Sequence, residues 1–157
     1  MTLRVRRARA EDAALVSSLN ADVQALHAAA LPHRFKSPTA ETFPPAEAAE
    51  LLNNPATLAF IAEIDSVPAG YAYAEKMAQP ETSFRHAYEM VYIHHVSVRP
   101  QFRRRGVGTA LLAAVRTAAS DAGLTLIALD VWTFNDVARA FFARHGFTAY
   151  NERLWNR

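Results

Sequence analysis

Apolar and polar residues alternate at Leu3 and Val5 in "TLRVRRA", which predicts a first strand at a sheet edge. From Glu11 to Ala30 the spacing lengthens to threes and fours, at Leu15, Leu19, Val23 and Leu26, the period of a helix with one apolar face. Glu11 and Asp12 suit its start, because carboxylates complement the positive end of a helix dipole, and Pro32 ends it. Residues 31–57 then hold prolines at 32, 38, 44, 45 and 55, with a short helix predicted around "AEAAELL". A long proline-rich excursion of this kind commonly serves as a binding loop or lid. The period returns to two in "TLAFIAEIDSVPAGYAYAEKM", a hairpin joined at "DSVPAG", and the polar "AQPETSFRHA" leads into the strand "YEMVYIHHVSV". Val107, Ala110, Leu111, Ala114, Val115 and Ala118 form one helical stripe, closed by Gly123. "LTLIALDVW" is apolar enough to read as a central strand. Asn135 is an N-cap for the helix "DVARAFFARH", Gly146 closes that helix, and "FTAYNERLW" is a last strand.

This order predicts an α/β fold with a mixed, mostly antiparallel central sheet of six to seven strands and helices on both faces. Two strand–helix–strand units near the C-terminus imply a parallel pair at residues 91–98 and 124–131. A chain of 157 residues is expected to form one domain, residues 1–157, around one core. No apolar run approaches the ~20 residues that cross a bilayer, and the basic N-terminus lacks the apolar stretch of a signal peptide, so no membrane partner is expected. Absence of cysteine removes disulfides, thiolate zinc sites and cysteine nucleophiles, and the expected setting is cytoplasmic. A formal charge of +2, without a basic stripe interleaved with aromatics, argues against a nucleic-acid partner.

Charge matters locally instead. In "HHVSVRPQFRRRGVGTALL", Arg103, Arg104 and Arg105 precede Gly106 and Gly108 where a helix begins. A helix start leaves backbone N–H groups unpaired at the positive end of the dipole. Glycines let a ligand approach that backbone, so the turn reads as an anion site suited to a phosphate or pyrophosphate. A P-loop is excluded because no lysine followed by Ser or Thr comes after the glycines. The dinucleotide fingerprint is excluded because Leu111 stands where its third glycine belongs. The alternative is a basic, capped helix start without a ligand.

"VSVRPQFRRRGVGTALL" resembles the coenzyme A-binding signature of the GNAT N-acetyltransferase superfamily, met here by Arg103, Gly106 and Gly108. "LDVWTFNDVARAFFARHGF" resembles its second signature, so the resemblance spans nearly the whole chain. It implies that backbone amides from Arg104 through Val107 and Gly108 to Thr109 hold the pyrophosphate of acetyl-CoA. Val96, Ser97 and Val98 would line the pantetheine arm, between parallel strands that splay apart. Asn135 and the helix carrying Phe142 would flank the other side of the cofactor.

Moving an acyl group from a thioester to an amine requires a base for the amine and a donor for the oxyanion, and is helped by an acid for the thiolate. Many members of the superfamily place a tyrosine acid where this chain has Phe142, which cannot donate a proton. The acid is elsewhere, or the thiolate departs without one, or catalysis has been lost. Candidate bases are Asp130 on one splayed strand, and Glu89, His94 and His95 on the other. Adjacent strand residues point to opposite faces, so the two histidines should not both face the cleft unless a bulge breaks the parity. Each also has a structural reading: Asp130 paired with an arginine, a histidine facing solvent or a subunit interface. No third ligand stands at useful spacing, so no metal is expected. Tyr92, Trp132 and Phe134 read as pocket walls or packing aromatics, and Glu41 and Glu47 are available to face a cationic acceptor.

The expected function is transfer of an acetyl group from acetyl-CoA to a primary amine on a small molecule, a peptide N-terminus or a lysine. Direct transfer in a ternary complex is expected, because the usual acyl-carrying cysteine is absent. The alternative is a non-catalytic acyl-CoA sensor that lost the acid. The resemblance also implies a possible homodimer.

Overall fold

The period-two segments form five strands, β1 (Leu3–Arg7), β2 (Thr57–Ile64), β3 (Val67–Gln79), β4 (Tyr88–Val98) and β5 (Ile127–Leu129). The segments spaced by threes and fours form α1 (Ala13–Ala30), α2 (Pro45–Asn53), α3 (Val107–Asp121) and α4 (Asp136–Arg144), in a computed structural model that describes residues 1–157. Single 3-10 turns lie at Ala10–Asp12 and Pro100–Phe102. The strands neighbour one another in chain order; the first three pairings are antiparallel and β4–β5 is parallel.

β2 and β3 are buried on both faces, and alternation sorts their side chains between two cores. Leu58, Phe60, Ala62, Ala72 and Ala74 pack under α3 with Val107, Leu111 and Val115. Ala59, Ile61, Tyr71 and Tyr73 pack under α1 and α2 with Val16, Leu19 and Ala48. Full burial of a side chain such as Leu111 is worth about 1.5–3 kcal/mol. The hairpin turn between β2 and β3 is tighter than the sequence suggests: only Asp65 and Ser66 form it, at φ 50° and 67°. Two successive left-handed residues match the twist of the flanking strands. The Asp65 carboxylate accepts from the Thr2 N–H at 2.8 Å, which ties β1 to this turn.

The sheet has five strands rather than six or seven. Residues 147–157, expected to hold a last strand, form neither helix nor strand. Alternation there stops at Tyr150, and Asn151, Glu152 and Arg153 follow in a row before Leu154 and Trp155. "LTLIALDVW" is not a central strand either: only Ile127–Leu129 pair, at the sheet edge. The parallel pairing is confined to Val91–Ile93 against Ile127–Leu129, so β4 continues to Val98 without a partner on that side. No helix is long and apolar enough to cross a membrane.

Between β3 and β4 the register slips once: Tyr73 pairs with His95 and Ala74 with Ile93, leaving His94 as an extra residue. This β-bulge lies immediately past the last β4–β5 pair. The chain therefore opens its sheet and breaks its side-chain parity at the same point.

Candidate active site

Beyond Ile93 the open edge of β4 faces the gap left by β5. Arg99 N–H donates to Ala69 on β3, so by strand alternation Val96 and Val98 direct their backbone groups into the gap. The Val98 carbonyl accepts from Arg103 Nε at 3.2 Å. Ser97 faces the other way, buried, with its hydroxyl donating to the Leu19 carbonyl of α1.

α3 starts at the end of this open edge. Gly106 is its N-cap at φ 81°, and no side chain caps the exposed N–H groups. A Cβ at Gly106 would meet only Leu3 Cδ2, at 3.9 Å, so the space beside it is open. Arg104, also left-handed at φ 59°, and its neighbours Arg103 and Arg105 are exposed around the same turn. Arg105 lies over the Phe102 ring, 5.9 Å from its centre. Gly108 has another reason to be glycine: a Cβ there would stand 3.2 Å from the Phe141 ring of α4. Thr109 shares a 3.2 Å hydrogen bond with His145 Nε2, a second tie between α3 and α4.

At the point of opening, the bulge brings both histidines to the α1 side of the sheet. His95 Nδ1 lies 2.9 Å from the Tyr71 hydroxyl, and Asn20 Nδ2 donates to that same oxygen at 2.9 Å. With Asn20 donating, the Tyr71 hydroxyl proton goes to Nδ1 and the ring carries its own proton on Nε2. Burial lowers the His95 pKa to about 4, helped by the nearby charges of His94 and His27. His95 is thus neutral at neutral pH with its lone pair already used. Burial likewise pushes the Tyr71 hydroxyl above its ordinary range.

His94 is different. Its Nε2 lies 2.9 Å from Glu75 Oε2, and the ring stacks on Tyr73 at 4.6 Å between centres, with 13° between planes. A carboxylate on Nε2 favours the proton there and leaves a lone pair on Nδ1, the arrangement a general base needs. Tyr92 borders the same ring at 4.8 Å and donates its hydroxyl to Asp130 Oδ2 at 2.5 Å, linking β4 to the end of β5. Burial and the Asp130 carboxylate push the Tyr92 pKa up to about 12. Asp130 is therefore held by a tyrosine rather than an arginine.

Two expected residues fall outside this group. Glu89 pairs with Ala78, exposed toward the outer end of the β3–β4 hairpin, five residues from His94 and so ~16 Å along the strand. The carboxylate beside His94 is instead that of Glu75, which sequence reasoning missed. The signal was present: Tyr71, Tyr73 and Glu75 alternate along β3 and so share a face. Phe142 packs between the rings of Phe141 and Phe147, at 5.1 and 5.4 Å, with no proton to offer. The Asn135 side chain accepts from the Ala138 N–H at 3.1 Å and caps α4. No cluster of three or more His, Cys, Asp or Glu side chains is placed to hold a metal ion.

A mixed sheet that opens at its one parallel pair, with a glycine-started helix at the mouth, is a fold this chain shares with solved acetyltransferases. Residues 20–147 match the acetyltransferase (GNAT) family, and the chain belongs to that family. The uncharacterized N-acetyltransferase MJ1207 of Methanocaldococcus jannaschii is 32% identical over 88 residues, which is 56% of this chain and 38% of that protein. The chain thus spans well under half the length of this curated relative. A mutant of the BH1408 protein from Bacillus halodurans has a TM-score of 0.92 at 21% identity, with 98% of each chain covered. The aminoglycoside N-acetyltransferase AAC(6')-Iy, solved in complex with CoA, has a TM-score of 0.78 at 21% identity, over 99% of this chain and 94% of that one. At such identities the likeness is one of fold.

Proposed function

We propose that this chain transfers an acetyl group from acetyl-CoA to a primary amine by direct attack in a ternary complex. The observation that carries the proposal is the opening of β4 from β5 just past Ile93 and Leu129, with the His94–Glu75 pair at its apex and the α3 start at its mouth. The CoA complex of the aminoglycoside enzyme of like fold supports the choice of donor.

Backbone amides from Arg104 to Thr109 take the pyrophosphate, where the helix dipole and three arginines favour negative charge. Val96 and Val98 offer the pantetheine arm the hydrogen bonds that a neighbouring strand would. Arg103 leaves the Val98 carbonyl as the arm arrives and becomes free for a phosphate. His94 Nδ1 takes a proton from the bound ammonium, which frees the nitrogen lone pair, and Glu75 steadies the imidazolium that forms. The neutral amine nitrogen then bonds to the thioester carbon, a main-chain N–H of the open strand holds the oxyanion, the carbon–sulfur bond breaks, and the nitrogen's remaining extra proton passes to the departed thiolate. A thiol of pKa near ~8.5 leaves as thiolate without an acid, so Phe142 is compatible with turnover. The acceptor's identity as small molecule, peptide N-terminus or lysine is open to substrate choice at the same site. A cytoplasmic setting and a homodimer built on the exposed Tyr150, Leu154 and Trp155 belong to the same proposal; sedimentation tests the dimer.

Isothermal titration with acetyl-CoA and CoA tests the donor. Saturable binding is expected, weakened at least about tenfold in an Arg103→Ala/Arg105→Ala double variant, since hydrogen bonds to charged groups are each worth about 1.5–3 kcal/mol. No binding of either ligand to the unaltered chain would overturn the proposal.

A further inference from the structure

Beside the acyl-transfer centre runs a continuous wall of aromatic rings. His27 of α1 lies 5.0 Å from Phe35 and 5.7 Å from Phe134 between ring centres. Phe35 meets Trp132 edge-on at 5.3 Å, and Trp132 stacks with Phe134 at 6.0 Å. All four rings are half-buried, so each is fixed by packing and still offers surface. The wall joins the centre already described. Phe43 meets His95 edge-on at 5.9 Å, and Tyr73 lies against both histidines. The segment carrying Phe35 and Phe43 is pinned to α1: Gln24 Nε2 donates to the Lys36 carbonyl at 2.7 Å, and the Ser17 hydroxyl donates to the Phe43 carbonyl.

The charge of this wall is balanced rather than acidic, which gives a polycation no concentrated partner. Residues 31–47 carry Arg34 and Lys36 against Glu41 and Glu47, and residues 131–135 carry no charge. Arg34 places its guanidinium 5.1 Å from the Trp132 ring and 5.9 Å from the Trp155 ring, a fixed positive group at the rim. Glu41 and Glu47 are exposed and form no ion pair. The carboxylates at the apex, Glu75 and Asp130, are engaged by His94 and Tyr92.

We infer that the acceptor is a single primary amine carried on a flat aromatic or apolar body, an arylalkylamine in chemistry, and not a polycation of the kind implied by an aminoglycoside acetyltransferase. This rests on the function proposed above. The amine sits against His94 and Glu75, while the body lies along Phe43, Phe35 and Trp132. Flat rings match such a body through offset stacking and edge contacts.

Acetyl-CoA turnover by the full chain, followed by thiol release, is measured with 2-phenylethylamine and with spermidine. The expected kcat/KM is at least about tenfold higher for 2-phenylethylamine, the discrimination an apolar pocket supplies. Trp132→Ala is expected to raise KM for 2-phenylethylamine by about tenfold with little change in kcat, and Trp132→Phe to restore most of the loss. Calorimetry with CoA runs beside each variant: a folded variant still binds CoA. Equal or better use of spermidine, or a KM for 2-phenylethylamine indifferent to Trp132→Ala, overturns the inference and leaves the donor reading standing. Loss of CoA binding in the unaltered chain overturns the donor reading instead. If neither amine turns over, quenching of tryptophan fluorescence in the CoA complex decides: no saturable response to 2-phenylethylamine also overturns the inference.

Discussion

Burial of His95 against Tyr71 brings its pKa to about 4, whereas the same ring in the unfolded chain takes a proton near pH 6.5. As pH falls through that window the unfolded state binds a proton that the folded state refuses, so folding stability declines. At full extent the loss is about 3 kcal/mol. His95→Gln keeps a polar partner for Tyr71 and does not titrate; urea unfolding from pH 7 to 4 is expected to show a flatter stability profile than the unaltered chain. Asp12 loses stability in the same direction, at lower pH. Arg6 holds its carboxyl below the usual range, through bonds of 2.9 Å from each of two nitrogens, and Arg9 N–H donates to it at 2.8 Å. Its contribution is present above the ordinary carboxylate range and is lost as pH falls through the lowered folded value. With Arg6 also bonded to Glu63 at 3.1 Å, Asp12→Asn is expected to cost about 1–2 kcal/mol at pH 7, allowing for partial exposure. Denaturant midpoints measure it.

At the level of elements, the ends of helices are local events, and they were readable. Gly106, Gly123 and Gly146 stand at φ 81°, 73° and 85°, and Asn135 caps α4, each from a residue type that such positions favour. Gly106→Ala is expected to destabilise the chain by about 1 kcal/mol through backbone strain. Gly108→Ala is expected to cost a similar ~1 kcal/mol by pressing on Phe141, and to loosen α4 from α3. Thermal unfolding of both variants, with hydrogen exchange at Asp136–Arg144, separates strain at a cap from pressure between helices. Elements that depend on distant partners were not readable in the same way. Nothing near His94 says that Glu75, nineteen residues earlier, stands beside it. That needs the β3–β4 register and its one slip. The apolar run before Asp130 looked central because its composition is that of a buried strand, yet pairing on one side for three residues suffices to hold it. The Arg103–Gly106–Gly108 turn was legible because its spacing is fixed by local backbone geometry.

Across the molecule, cohesion is uneven. β2, β3 and β4 share long antiparallel pairings, with β2 and β3 in both cores and β4 in the one beneath α3, while β5 holds by three residue pairs. Amide exchange is therefore expected to be slowest at Ile61, Ala72 and Val91 and faster by orders of magnitude in β5, because opening free energies follow buried contact and pairing. Adding CoA is expected to slow exchange at Val96 and Val98 more than at Ile61; an unchanged pattern would contradict the placement of the donor along β4. The extra residue at His94 has a consequence for how this chain can vary. A strand with that position deleted would regain an unbroken ladder, with Ile93 still opposite Ala74 and His95 still opposite Tyr73. Ser97 would keep its place beneath α1, and Val96 and Val98 theirs beneath α3, so no core side chain would change faces. What would go is the second ring on the α1 side, the one that meets Glu75. One codon's loss would leave the inside and outside of the strand where they are and remove the candidate base alone.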